Sequence, residues 1–132
     1  MKINGIAHIN LRAPRALLDQ LFTFYTEVVG LQNGKRPPFA RFGYWLYAGN
    51  ADVLHLLEAS PEETRLVNVI TTIDHFAFYC EGLAAFEQKL KTMGIDYRLT
   101  KIPLTGQDQL VIKDPAGNTV ELNFPSGANE PA

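Results

Sequence analysis

The sequence predicts an α+β fold made of one structural module used twice. Three features predict it. Two strand-like segments, each with a histidine, are each followed by a helix pattern; both helix patterns stop at a glycine, Gly30 and Gly94; and two or three further strand-like runs close each half. The halves superpose with near-equal intervals, His8 to His55 in one and His75 to Glu121 in the other.

The elements follow in order. Ile3 to Leu11 has apolar residues at short intervals and no helical stripe, which predicts a strand with His8 in its middle. Pro14 opens a stretch in which Leu17, Leu18, Leu21, Phe22, Tyr25, Val28 and Val29 recur every three or four positions, so a helix is expected up to Gly30. A turn-rich link containing Asn33, Gly34, Pro37 and Pro38 leads to two antiparallel strands, Arg41 to Ala48 and Val53 to Leu57, joined by the turn residues Gly49 and Asn50.

The pattern then restarts. Thr71 to Cys80 reads as a strand, and Leu83 to Met93 as a helix with Leu83, Phe86, Leu90 and Met93 on one face. Strands are expected at Tyr97 to Thr100, Gln109 to Lys113 and Thr119 to Phe124, the last two separated by the turn Asp114 to Asn118. The 132 residues suit one domain of two tandem modules, about 1–60 and 70–126, sharing a core because each half alone buries too little surface. Residues 127–132 are expected to be a flexible tail.

Composition narrows the function. Net charge of -2 gives no cationic footprint for a phosphate backbone, so nucleic acid is not an expected partner. No run approaches a membrane span, and the N-terminus lacks a basic, then apolar leader, so a cytoplasmic protein without membrane contact is expected. Cys80, the single cysteine, lies in an apolar run and reads as a small buried hydrophobe, not a nucleophile.

The repeat points to chemistry. It aligns Ile6-Ala7-His8 with Ile73-Asp74-His75 and Val53-Leu54-His55-Leu56 with Thr119-Val120-Glu121-Leu122. A lone strand histidine is ordinary, but all three histidines and one glutamate occupy corresponding positions of a two-fold repeat. A buried unpaired carboxylate is costly, and a bound cation relieves that cost. His8, His55, His75 and Glu121 are therefore the expected ligands of one divalent metal ion. Imidazole with carboxylate suits zinc, nickel, cobalt, manganese or ferrous iron, and the residues do not choose among them.

Two motifs extend the reading. Phe24 to Leu31 (FYTEVVGL) looks like F-Y-x-x-x-L-G-L, and Asp114 to Leu122 (DPAGNTVEL) looks like D-P-x-G-N-x-x-E-L. Through them the chain, over residues 3 to 126, resembles the vicinal oxygen chelate superfamily of glyoxalases, bleomycin-resistance proteins and extradiol dioxygenases. The resemblance implies paired βαβββ modules whose curved mixed sheets form an open barrel around a metal site. It also implies a homodimer with ligands drawn from both subunits and a small-molecule substrate held through adjacent oxygens.

Within the superfamily, a ligand at the fourth position, His55, favours a lyase or isomerase of the glyoxalase type. Extradiol dioxygenases carry a further histidine about fifteen residues before the position of His75, and Ala59 to Glu62 contains none, so ring cleavage comes second. A non-catalytic antibiotic binder comes third, because such members usually lack the ligands. Arg12 stands four residues after His8, as an arginine does in bacterial glyoxalase I, whereas Ala59 replaces an asparagine that contacts glutathione there. Glu121 is expected to double as general base, as its equivalent does in glyoxalase-like members.

Strand alternation maps the cavity independently, since side chains two apart share a face. Ile6, Asn10 and Arg12 should lie beside His8, Val53 and Leu57 beside His55, Ala77 and Tyr79 beside His75, and Thr119 and Asn123 beside Glu121. Asn10, Arg12, Tyr79, Thr119 and Asn123 are thus the candidate substrate contacts, in a mixed wall with few cations.

Overall fold

In the computed structural model, residues 1–126 are described, and the chain divides into two compact units between Leu66 and Val67. The tail expected at 127–132 lies outside the described residues. Each unit is a βαβββ module.

The first module consists of strand β1 (Ile9–Ala13), helix α1 (Arg15–Thr23), and strands β2 (Gln32–Gly34), β3 (Gly43–Ala48) and β4 (Ala51–Glu58). Its sheet has the order β1-β4-β3-β2. β1 runs parallel to β4, which requires a crossover, while β2, β3 and β4 pair antiparallel. Helix α1 continues into a π-helical turn, Phe24–Val29, and Gly30 ends it in the left-handed conformation at φ 98°. Leu31 N–H then donates to the Tyr25 carbonyl, a bond that ties off the helix end. The FYTEVVGL motif is thus a helix stop that buries Phe24, Tyr25, Val28, Val29 and Leu31.

Alternation decides the sheet's faces. Leu46, Leu54 and Leu56 are fully buried, as are Leu18, Leu21 and Tyr25 of the helix that packs on β4. The intervening residues 53, 55 and 57 turn to the opposite face.

The second module repeats the plan with β5 (Phe76–Tyr79), helix α2 (Leu83–Met93), β6 (Arg98–Lys101), β7 (Asp108–Lys113) and β8 (Thr119–Phe124), in the order β5-β8-β7-β6. Leu83, Leu90, Leu110, Ile112, Val120, Leu122 and Phe124 form its core, with Phe86 edge-on to Phe124. The DPAGN turn is built on the buried carboxylate of Asp114, which accepts from the N–H groups of Ala116 and Asn118 and from the Asn118 side chain. Gly117 sits at φ 88°, and a Cβ there would collide with Asn68.

The expected element order holds, with three differences. Strand begins at Ile9 instead of Ile3, and at Phe76 instead of Thr71. β1 pairs only with Leu54 to Glu58 and β5 only with Val120 to Asn123, so each ladder stops one residue after the histidine. The apolar residues expected inside those strands, Ile3, Ile6, Ile70 and Ile73, are instead exposed. The third difference is β2, inside the link read as turns: three exposed residues without apolar alternation pair with Trp45 to Tyr47. So short and polar a strand leaves no periodic signal.

Candidate metal centre

The register makes the repeat quantitative. Asn10 lies opposite His55 across β1 and β4, and Ala77 lies opposite Glu121 across β5 and β8. His8 and His75 each stand two residues before those partners, so the two modules carry equivalent candidate pairs in equivalent places.

In the first module the rings of His8 and His55 stack at 3.7 Å and 15°. His8 is exposed, whereas His55 is buried, with Trp45 lying parallel to it at 4.2 Å. His55 Nε2 is 2.6 Å from Asp52 Oδ2, and this hydrogen bond is the main reason the Asp52 carboxyl titrates below its ordinary value. Donor atoms of His8, Asp52 and His55 all lie within 4.8 Å of one another. Asp52 was missed in the sequence because it falls on the opposite strand parity from His55. Proximity at three residues, next to a turn, was its only signal.

In the second module His75 Nε2 is 3.4 Å from Glu121 Oε2. Two donors each about 2.05 Å from one tetrahedral ion are separated by roughly 3.3 Å, so this pair fits two corners of one coordination sphere. Asp74 Oδ2 engages the other ring nitrogen, Nδ1, at 2.8 Å, the arrangement that orients a metal-binding imidazole. The same hydrogen bond is the leading cause that raises the His75 pKa, with burial opposing it and the Glu121 charge adding to it. Glu121 is buried, and its Oε1 accepts from Gln109 Nε2 at 2.6 Å. Gln109, two residues into β7, was also missed; only the β7–β8 register brings it there.

The candidate substrate contacts divide between two clefts. Asn10 and Arg12 line a cleft of about 560 Å³ in the first module together with His8, His55 and Leu57. Tyr79 and Asn123 line one of about 650 Å³ in the second, with Gln107. Thr119 lines neither of these, and its hydroxyl accepts from Lys113 Nζ at 2.7 Å. The expectation of few cations fails in the first cleft, where Arg36 and Arg41 join Arg12. Both come from the long β2–β3 link, whose course strand parity does not describe. Cys80 borders the second cleft with its thiol pushed up to about 11 by burial, against a lowering from the Asn123 backbone, so it is a poor nucleophile.

Comparison with known proteins agrees with this architecture. The family model described as Glyoxalase/Bleomycin resistance protein/Dioxygenase superfamily matches residues 5–122. Glyoxylase I 4 of Arabidopsis thaliana is 36% identical over 110 residues, covering 80% of this chain; the chain spans 63% of that protein's length. Among solved structures, a glyoxylase/bleomycin resistance protein/dioxygenase domain from Frankia sp. is 19% identical with a TM-score of 0.73, over 94% of this chain and 93% of that one. Lactoylglutathione lyase from Agrobacterium tumefaciens is 24% identical with a TM-score of 0.63, over 94% and 96%. A fosfomycin resistance protein from Listeria monocytogenes is 14% identical with a TM-score of 0.68, over 95% and 96%. At these identities the structures share the fold alone. With two βαβββ modules and a family match across most of its length, this chain belongs to the glyoxalase/bleomycin resistance protein/dioxygenase superfamily.

Proposed function

We propose that the protein is a cytoplasmic, metal-dependent enzyme of the glyoxalase type, a lyase or isomerase acting on a small substrate with adjacent oxygens. The observation that carries the reading is the His75–Glu121 pair at 3.4 Å, matched at the equivalent register positions by His8 and His55. His8, His55, His75 and Glu121 would hold one divalent ion, zinc, nickel, cobalt, manganese or iron, in a homodimer. The exposed isoleucines of the segments preceding β1 and β5, Ile3, Ile6, Ile70 and Ile73, are the apolar side chains that a second subunit would cover.

A bound divalent ion supplies Lewis-acid stabilisation of oxyanion charge. The chain's residues do the rest. Glu121 accepts the acidified carbon proton as general base, and Gln109 orients its carboxylate by donating to Oε1. Asn10, Arg12, Tyr79, Thr119 and Asn123 are proposed to position the substrate. Names of relatives make lactoylglutathione the first compound to assay.

Metal analysis of the purified protein, with lactoylglutathione lyase assays of the wild type and Glu121→Gln, tests the proposal. About one ion per four-ligand set and loss of turnover by at least ~100-fold in the variant are expected. Full turnover in Glu121→Gln would remove its role as base. Bound ferrous iron with catechol-dependent oxygen uptake would make the protein a dioxygenase instead.

A further inference from the structure

The first module's cleft contains more positive charge than metal binding explains. Among the described residues lining it, three are arginines, Arg12, Arg36 and Arg41, and none is acidic. The nearest carboxylate in contact with them is Glu63, which serves Arg12 at 2.8 Å, Arg41 at 3.4 Å and Arg65 at 2.9 Å, so one negative charge faces three positive ones. Glu63 is further occupied by the Ser60 N–H at 2.6 Å and the Ser60 hydroxyl at 3.1 Å. Among the described residues Arg36 has no carboxylate partner; it donates to the Arg41 carbonyl at 2.9 Å. Arg12 Nε and Arg36 Nε are buried with no hydrogen-bond partner among the described residues.

The arginines are connected to the histidines by rings. The Arg36 guanidinium lies 5.0 Å from the Phe39 ring centre, Phe39 is 6.2 Å from Trp45, and Trp45 stacks on His55. Gly43 leaves room beside it: a Cβ there would collide with the Leu56 carbonyl and crowd Arg36 Nη2 at 3.1 Å. One end of the cleft thus offers planar, permanently charged forks, the other offers imidazoles, and the wall between is aromatic. A planar guanidinium matches a carboxylate bidentately.

We propose that this cleft is an organic-anion subsite: Arg36 and Arg41 take the carboxylate of a substrate whose aromatic or otherwise planar body lies along Phe39 and Trp45, directing its far end to His8 and His55. The assignment deepens the enzymatic reading by naming its substrate class, and it rests on that reading only for the orientation of the far end.

Trp45 is the sole tryptophan, so its emission reports on the cleft directly. The test titrates full-length, chelator-treated protein with 3-phenylpropionate, its neutral analogue 3-phenylpropanol, and phenyl phosphate. The carboxylate is expected to change the emission saturably and bind about tenfold or more tighter than the alcohol, the scale of one charge-assisted hydrogen bond, with affinity falling as salt rises. In Arg36→Gln and Arg41→Gln the preference for acid over alcohol should collapse while alcohol binding stays unchanged; Arg36→Lys should restore part of it. Arg65→Gln, outside the cleft, should keep the preference, and unchanged thermal melting establishes that each variant folds.

Equal binding of acid and alcohol, tighter binding of phenyl phosphate than of the carboxylate, or a preference intact in both glutamine variants would overturn the proposal. Uptake of added nickel or zinc by the same chelator-treated preparations is measured in parallel. Carboxylate preference without any metal uptake sinks the catalytic reading alone, and metal uptake without carboxylate preference sinks the anion subsite alone.

Discussion

Trp45 lies flat against His55, with ring centroids 4.2 Å apart and 8° between planes. An aromatic pair of this kind contributes about 0.5–1.5 kcal/mol beyond burial and holds the imidazole in one orientation. Nickel titration should therefore quench the tryptophan emission, and His55→Ala should abolish most of the quenching. Trp45→Ala, read by competition with a chelating dye, should weaken nickel binding by about tenfold, with Trp45→Phe in between. Unchanged nickel affinity in Trp45→Ala would show that the stack does not orient a ligand.

Asp74 engages Nδ1 of His75 and leaves Nε2 toward Glu121. Loss of such an orienting carboxylate typically costs 10–100-fold in metal affinity. Asp74→Ala should show that loss by calorimetry while its far-ultraviolet spectrum stays that of the wild type. Wild-type affinity would mean that His75 is not held through Asp74.

Glu63 is held at about 2, chiefly by the Ser60 backbone N–H, with Arg65, the Ser60 hydroxyl and Arg12 adding to it against desolvation. Its ordinary value is 4.5, so between the two the unfolded chain binds the proton that the folded chain does not. The stabilisation is present above pH 4.5 and disappears as the pH falls toward about 2. Urea midpoints measured down that range should fall more steeply for wild type than for Glu63→Gln. Parallel profiles would refute the linkage.

The Asp114 carboxylate accepts three hydrogen bonds within its turn. At about 0.5–1.5 kcal/mol each, Asp114→Ala should destabilise the protein by about 2–4 kcal/mol. Gly117→Ala should cost at least about 1–2 kcal/mol, from the positive φ alone, before its collision with Asn68 is counted. Chemical denaturation measures both, and a loss under 0.5 kcal/mol in either would contradict this account of the turn.

The sequence by itself determined the double strand–helix–strand order, both helix stops and the equivalence of His8 with His75 and of His55 with Glu121. These features are local: apolar periodicity, glycine in left-handed caps, and the count of residues between repeats. Only the tertiary structure decided what surrounds the candidate ligands. Ala48 pairs with Ala51 at the turn, so simple counting would set Trp45 against Leu54. A bulge between Leu46 and Ala48 shifts the register by one and sets Trp45 against His55 instead. The arginines at 36 and 41 reach the cleft through a link with no periodicity, where Glu63 pairs with Arg41 and the Arg41 carbonyl accepts from Arg36. Register slips and loop paths depend on contacts between residues far apart in the chain, and no local pattern encodes them.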